Sequence, residues 1–294
     1  MVDTRPMKDS PLVKAFAEQE SYETQADRHI NLLDRMFWWS DAWFYARLFQ
    51  VIFGAFLKTR LFGYNYRHWA NDSLFILAIV ENCRVPVRVE GLKHLRGLKE
   101  PVVIVSNHMG MLETLFAGGI TIPSGIKLNT VVKLSLVHYP VFGPVLGALD
   151  PITVGRTDPK EDLVHVLKKG AESIRQGRSV LLFPQATRSP VFGPARFNTL
   201  GIKLARNTGS RVMPLAVKTD FLGIGKRVRD LGKISRDKPV FFRFGEPMAL
   251  QGNGRETHEK TVQFISGCLR EWGGVVEEPA VCKDDNVEVK EKTI

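Results

Sequence analysis

From residue 85 onward the chain alternates between short runs rich in β-branched residues and longer stretches with helical periodicity. The runs predicted to be strands are residues 85–90, 102–106, 129–133, 152–154, 180–183, 212–217 and 240–244. The predicted helices are residues 111–120, 140–149, 160–176, 199–207 and 256–272. This alternation predicts an α/β fold with a mostly parallel or mixed sheet flanked by helices.

Residues 29–84 have a different composition, because four of the five tryptophans of the chain lie here. Asp41 and Arg47 interrupt this segment, and its longest uncharged run, residues 48–57, is too short to cross about 30 Å of hydrocarbon. Trp and Tyr favour the bilayer interface, and flanking cations suit anionic headgroups. We expect an amphipathic, aromatic-rich helical segment that docks on a membrane, with Gly54 and Gly63 as weak points. The alternative is a helix pair that packs only on its own domain.

The remaining chain divides by composition into three parts. Residues 1–28 are a polar segment expected to be loosely ordered or helical, residues 85–275 the α/β domain, and residues 276–294 a charged tail expected to be disordered. Cys83, Cys268 and Cys282 are far apart and form no CxxC pair, which favours a reducing compartment over a disulfide framework or a zinc site. The N-terminus lacks the apolar region of a secretory signal.

The net charge of +10 points to an anionic partner: nucleic acid, a phosphate-bearing substrate or a lipid surface. A nucleic-acid-binding protein clusters its cations with exposed aromatic residues on one face. Here the cations are spread along the chain and the aromatic residues concentrate in an apolar segment. The composition therefore disfavours nucleic acid. Residues 223–227 (GIGKR) lack the spacing of a nucleotide-binding loop and are expected to form a basic loop near the membrane or an acyl donor.

A histidine and a carboxylate follow the predicted strand 102–106. Two residues five positions apart on one helix do not share a face. If His108 lies in the turn before the helix and Glu113 in its first turn, however, the two side chains can meet. A carboxylate on one ring nitrogen fixes the tautomer, so that the other nitrogen can take a proton from a hydroxyl. The pattern indicates a general base. Alone it also fits a surface histidine beside a helix-terminal Glu.

Four ordered blocks carry a family resemblance over residues 85–248. The matching residues are Asn107, His108 and Glu113; Lys133, Pro140 and Gly143; Arg156; and Phe183, Pro184, Thr187, Arg188 and Ser189, followed by Pro214 and the segment 242–248. In this order and spacing they resemble the lysophospholipid/glycerolipid acyltransferase superfamily, typified by 1-acylglycerol-3-phosphate acyltransferases. The family pattern has His-x4-Asp and Phe-Pro-Glu-Gly-Thr-Arg-Ser. Glu113 here replaces the Asp, and Gln185 and Ala186 replace the Glu-Gly.

The resemblance implies transfer of an acyl chain from a thioester, on CoA or acyl carrier protein, to a hydroxyl of a lysophospholipid-like acceptor. His108 would be the general base and Glu113 its orienting carboxylate, with no bound cofactor or metal. Lys133, Arg156, Gln185, Thr187 and Arg188 would bind substrate. Backbone N–H groups at the start of the following helix are expected to stabilise the oxyanion. The implied location is a membrane surface on its cytoplasmic face. A non-catalytic lipid-binding protein on the same fold is the alternative.

Overall fold

The computed structural model describes residues 11–185 and 187–278. The strands of this part of the chain are β1 (Tyr22–Glu23), β2 (Val87–Glu90), β3 (Val103–Ser106), β4 (Leu128–Lys133), β5 (Ile152–Val154), β6 (Ser179–Leu182), β7 (Val191–Phe192), β8 (Val212–Lys218), β9 (Val240–Phe244) and β10 (Val275–Val276). The main sheet has the order β1-β2-β9-β8-β3-β6-β4-β5, while β7 and β10 form a separate pair.

The helices in the same residues are α1 (Pro11–Glu18), α2 (Leu32–Phe37), α3 (Asp41–Leu61), α4 (Tyr66–Asn82), α5 (Leu92–Arg96), α6 (Leu112–Thr121), α7 (Phe142–Gly147), α8 (Pro159–Arg175), α9 (Leu200–Thr208) and α10 (Arg255–Glu271). A 3₁₀ helix, Leu134–His138, joins β4 to the segment before α7. Each long connection between parallel strands therefore contains a helix, as crossover geometry requires.

The sheet is mixed, and its parallel part sets the position of every candidate site residue. Strand β3 runs parallel to both β6 and β8, and β4 runs parallel to both β5 and β6. The carboxyl ends of these five strands therefore meet at one edge of the sheet. Strand β9 is antiparallel to β8, and β1 is antiparallel to β2. The predicted fold class is confirmed.

Side chains alternate between the two faces of the sheet and divide the core in two. On one face Ile104 packs in a cluster with residues of α4 and α6, among them Leu77 and Phe116. On the other face Val103 and Val105 pack in a cluster with α9 and α10. Helices thus cover both faces, and the apolar runs read from the sequence are buried strands.

Two glycines let α6 approach α4 closely. A Cβ at Gly118 would lie 2.6 Å from Cδ2 of Trp69, and one at Gly119 would lie 2.9 Å from Cβ of Ser73. Contacts this short exclude a larger residue unless the helices move apart. The close packing fixes α6, and with it Glu113 at the start of that helix.

The structure differs from the sequence predictions mainly near the ends of the chain. Residues 11–18 are helical, which is one of the two conformations expected for the polar segment, and the pairing of Tyr22 of β1 with β2 was not expected. Helix α3 continues through Gly54, because Leu48 and Ala55 are buried on either side and offset the helical cost of glycine. Val276 belongs to β10, so the predicted tail begins later than residue 276. Its residues 279–294, including Cys282, lie outside the described residues.

Candidate active site

Asn107 fixes the turn that follows β3. Its buried side chain donates a hydrogen bond from Nδ2 to the carbonyl of Val217 (2.7 Å) and accepts one at Oδ1 from the Val217 N–H (2.9 Å). The amide thus continues the β3–β8 pairing for one more residue after β3 has ended. The next residue, His108, is therefore held at the carboxyl edge of the sheet.

Glu113, the second residue of α6, folds back under this turn. Its Oε1 accepts hydrogen bonds from the main-chain N–H groups of Met109 (2.5 Å) and Gly110 (2.8 Å) and lies 3.7 Å from Nδ1 of His108. The side chain is completely buried. The carboxylate thus supports the backbone of the turn as well as facing the imidazole.

The electrostatic balance at Glu113 favours the carboxylate. Burial opposes the charged form, but the His108 imidazole and the N–H of Gly110 outweigh it, so the pKa of Glu113 lies below its ordinary value of 4.5. A carboxyl that stays ionised can stabilise positive charge on the neighbouring ring.

The His108 ring is held by an aromatic neighbour. It stacks on Phe183, with ring centroids 4.3 Å apart and planes 22° from parallel. The side chain is 14% exposed, and Nδ1 is buried on the Glu113 side. Phe183 directly follows β6, so two adjacent strands bring the pair together.

The loop after β6 also binds the main chain of His108. Oε1 of Gln185 accepts a hydrogen bond from the His108 N–H (2.9 Å), and the Ser189 N–H donates one to the His108 carbonyl (2.9 Å). Gln185 therefore contributes to the position of the base. Its predicted contact with substrate stays a prediction, and Ala186 lies outside the described residues.

Three arginines lie near one another beside this loop. Burial, with the guanidinium groups of Arg188 and Arg229, lowers the pKa of Arg156, while Asp162 acts against the shift. Arg188 forms an ion pair with Asp230, with Nη1 2.5 Å from Oδ1, and both side chains are largely buried. Repulsion among like charges makes this region a good binding site for an anion.

The backbone at Arg156 is unusual. Its φ of 63° lies in the left-handed region, which residues other than glycine seldom adopt. The two carboxylate oxygens of Asp162 accept hydrogen bonds from the N–H groups of Gly155 (2.8 Å) and Arg156 (2.7 Å) and hold this conformation. Asp162 therefore fixes the direction in which the chain leaves β5.

The other two predicted binding residues lie at the same edge of the sheet, but neither forms a hydrogen bond with His108. Lys133 is the exposed last residue of β4 and pairs in register with Val154, two residues before Arg156. Thr187 is exposed, and its N–H donates a hydrogen bond to the Gln185 carbonyl (2.7 Å). Sequence reasoning missed Arg229 and Asp230. Their alternation with other charges in the loop after β8 was the available signal.

An apolar cavity of about 60 Å³ lies next to the turn. Thr114 and Leu115, which follow Glu113 on α6, form part of its wall. The rest comes from α3, α4, β4 and α7, including Ile52, Trp69 and Val145. The cavity thus lies between the aromatic helices and the first turn of α6, the helix that begins just after His108.

The helices α2 and α3 expose an unusual amount of apolar surface. Nine large apolar side chains of these helices and of the turn between them are exposed: Leu32, Leu33, Met36, Phe37, Trp39, Phe49, Phe53, Leu57 and Leu61. Contiguous apolar patches of this kind mark interaction surfaces. Among the described residues, no helix has the length and apolar character needed to span a membrane.

Comparison with known proteins identifies the domain that carries this edge. Residues 86–218 match the family model described as Acyltransferase. These residues belong to the acyltransferase family. The match contains His108, Glu113 and the three predicted cations Lys133, Arg156 and Arg188, and it confirms the resemblance drawn from the motif blocks.

Individual relatives agree with the family model. The chain is 35% identical over 150 residues to 1-acyl-sn-glycerol-3-phosphate acyltransferase of Pseudomonas aeruginosa, which is 51% of this chain and 55% of the relative. It is 29% identical over 142 residues to a chloroplastic protein of the same name from Arabidopsis thaliana, or 48% of this chain and 37% of the relative. The chain thus spans about half the length, or less, of these relatives.

A solved structure extends the likeness of fold beyond the matched segment. The match to the crystal structure of the 1-acyl-sn-glycerophosphate acyltransferase of Thermotoga maritima covers 84% of this chain and 98% of that protein, with a TM-score of 0.54 and 18% sequence identity. At this identity the similarity establishes the fold alone. It places the chain on the fold that the motif resemblance implied.

Proposed function

We propose that this protein is an O-acyltransferase that moves a fatty acyl chain from a thioester to the free hydroxyl of lysophosphatidate or a closely related lysophospholipid. The observation that carries the proposal is the pair formed by His108 and the buried Glu113 at the carboxyl edge of the sheet. The names of the relatives point to the same acceptor class.

The proposed mechanism begins with proton transfer to His108. Nδ1 faces Glu113, which leaves Nε2 to take the proton from the acceptor hydroxyl. The oxygen forms a bond to the thioester carbonyl carbon, the C–S bond then breaks, and the thiol leaves with a proton from the imidazolium. Ionised Glu113 stabilises the imidazolium between these steps. No acyl-enzyme intermediate is needed.

The oxyanion contact expected from the sequence stays a prediction, but two nearby N–H groups are poor candidates for it. The N–H groups of Met109 and Gly110, at the turn before α6, are already hydrogen-bonded to Glu113. They are therefore engaged in holding the carboxylate and are poor candidates for stabilising the developing oxyanion.

The acceptor's phosphate would bind beside Arg188, with Arg156 and Lys133 near it. A guanidinium binds phosphate oxygens in pairs, and Arg156 and Arg188 are close enough to interact electrostatically. In this structure the guanidinium of Arg188 is paired with the carboxylate of Asp230, so a phosphate that binds Arg188 would have to displace this carboxylate. The dianionic headgroup of lysophosphatidate suits such an exchange better than a neutral headgroup.

The acyl chains would reach this edge from a membrane surface. The exposed apolar side chains of α2 and α3 would lie in the interfacial region, as proposed for the whole segment 29–84. The cavity beside Thr114 and Leu115 would take part of the acyl chain. A donor on CoA or on acyl carrier protein fits this arrangement equally.

The test uses the full chain purified in detergent, with release of free thiol from palmitoyl-CoA followed with and without lysophosphatidate, and with the lipid product identified by mass spectrometry. We expect thiol release that depends on the acceptor and yields phosphatidate in equal amount. Palmitoyl carrier protein and other lysophospholipids extend the panel. Binding of lysophosphatidate without turnover on any donor would reject the proposal and favour a lipid-binding protein.

A further inference from the structure

The segment between β8 and β9 carries a second surface with the composition of a membrane contact. We call residues 226–231 (KRVRDL) the basic loop. Val228 and Leu231 are 54% and 56% exposed. Lys226, Arg227 and Arg229 are exposed beside them. Single exposed apolar residues are ordinary, but two of them among three cations on one short loop match segments that insert at anionic interfaces.

Hydrogen bonds fix the segment after the basic loop to the start of α3. The Tyr45 hydroxyl donates to the Gly232 carbonyl (2.5 Å), and Arg236 forms an ion pair with Asp41 (2.6 Å). Arg236 also donates from Nε to the carbonyl of Trp38 (2.8 Å). The loop therefore has a defined place beside the aromatic helices.

Helical geometry makes the basic loop a neighbour of the exposed apolar face of α3. Residues four apart on a helix lie on the same side, one turn further on. Phe49 follows Tyr45 by four residues, and Phe49 and Phe53 stack on each other with centroids 5.8 Å apart. The exposed apolar face of α3 thus begins one turn after Tyr45, the residue that holds the segment following the basic loop. A single membrane surface can therefore contact both the basic loop and this face of α3.

We infer that the basic loop is an anionic-lipid contact that acts together with the apolar face of α2 and α3. This inference rests on the proposed membrane-surface function and adds to it a preference for negatively charged lipid. The cations Lys226 and Arg227 bind headgroups, while Val228 and Leu231 enter the interface. A bilayer fits better than an acidic carrier protein, because the loop is followed by a segment held against α3, whose exposed side chains include large apolar ones.

The experiment measures binding of the full chain to phosphatidylcholine vesicles prepared with and without phosphatidylglycerol. Two variants alter the loop: Lys226→Glu with Arg227→Glu, and Val228→Asp with Leu231→Asp. Controls make changes of the same kind on exposed residues of α8: Lys160→Glu with Lys168→Glu for the two cations, and the single change Val164→Asp for the apolar residues. The altered loop residues are outside the proposed catalytic and phosphate contacts.

We expect wild type to bind phosphatidylglycerol vesicles more tightly than pure phosphatidylcholine vesicles. Each loop variant should bind the anionic vesicles about 10- to 30-fold more weakly, since each cation and each apolar side chain contributes a several-fold factor. The α8 controls should bind like wild type. Acyl transfer in neutral detergent should be unchanged in the loop variants.

Equal vesicle binding by wild type and loop variants would overturn the inference, as would a loss of the same size in the α8 controls. Loop variants that keep vesicle binding but lose turnover with acyl carrier protein would overturn it in favour of a carrier-docking site. Failure of the proposed acyltransferase activity would appear separately, as absent thiol release by wild type in detergent, and would leave the vesicle result interpretable.

Discussion

The side-chain oxygen of Gln185 accepts a hydrogen bond from the main-chain N–H of His108 over 2.9 Å. These residues lie 77 positions apart and follow adjacent parallel strands, β3 and β6. A Glu at this position, as in the family pattern, could accept the same bond. The Gln therefore preserves the function of the side-chain oxygen in holding the base, although it removes a charge.

Substitutions at Gln185 can test the hydrogen-bond acceptor and the charge of this side chain separately. Gln185→Ala removes the acceptor and should lower kcat about 10-fold, because an unsupported His108 backbone costs about 1–2 kcal/mol of positioning. Gln185→Glu keeps the acceptor and should retain most of the activity. The measurement is kcat for acyl transfer to lysophosphatidate. A Gln185→Ala enzyme with the kcat of wild type would show that this contact is dispensable.

Glu113→Gln tests the charge of the buried carboxylate while keeping an oxygen for the N–H groups of Met109 and Gly110. The pKa of Glu113 is lower in the folded protein than its ordinary value of 4.5, so its charge stabilises the folded state above that pH. The stabilisation is lost as the pH falls through the lowered pKa. The free energy of unfolding of wild type minus variant should therefore be largest above pH 4.5 and shrink in acid. A difference independent of pH would contradict the assignment.

The pairing of Arg188 with Asp230 predicts opposite effects of two substitutions. Arg188→Ala should raise KM for lysophosphatidate about 10- to 100-fold with little change in kcat, because a phosphate contact is lost away from the reacting hydroxyl. Asp230→Asn should lower KM several-fold, because it removes a competing carboxylate. Monoacylglycerol, which has no phosphate, is the control acceptor. If KM for monoacylglycerol changes in the two variants as KM for lysophosphatidate does, Arg188 does not bind the phosphate of the acceptor.

The close contact between α6 and α4 predicts that Gly118→Ala destabilises the fold. The added Cβ would lie 2.6 Å from the Trp69 ring, and overpacking of this kind costs about 1–3 kcal/mol. Gly267→Ala on α10 is the matched control, since a Cβ there meets nothing within 4 Å. That change should stabilise the protein by about 0.5–1 kcal/mol. Chemical denaturation measures both, and similar values for the two variants would argue against tight packing at α6.

Local sequence patterns predicted the elements that depend on local composition. The bounds of β5 and β9 coincide with the predicted runs 152–154 and 240–244, since apolar β-branched runs bounded by turn residues are a sufficient signal. His108 and Glu113 were found together because only four residues separate them. The position of Glu113 in the first turn of α6 follows from the same short stretch of sequence.

Contacts between distant segments could not be predicted in this way. Arg188 and Asp230 are 42 residues apart, and the strand order of the sheet decides that they meet. The pairing of β1 with β2 was missed because Tyr22–Glu23 is too short to show alternation. The hydrogen bond between Gln185 and the main chain of His108 could not be predicted either, since a single sequence does not show which loops lie at the same edge of the sheet.

The central claim is that His108 is the general base, and the most direct measurement compares His108→Ala with His165→Ala, an exposed histidine of α8. The quantity measured is acceptor-dependent thiol release from palmitoyl-CoA by each folded variant. We predict that His108→Ala lowers the rate about 10²- to 10⁴-fold, while His165→Ala keeps the wild-type rate. A His108→Ala enzyme that turns over like wild type would contradict the account.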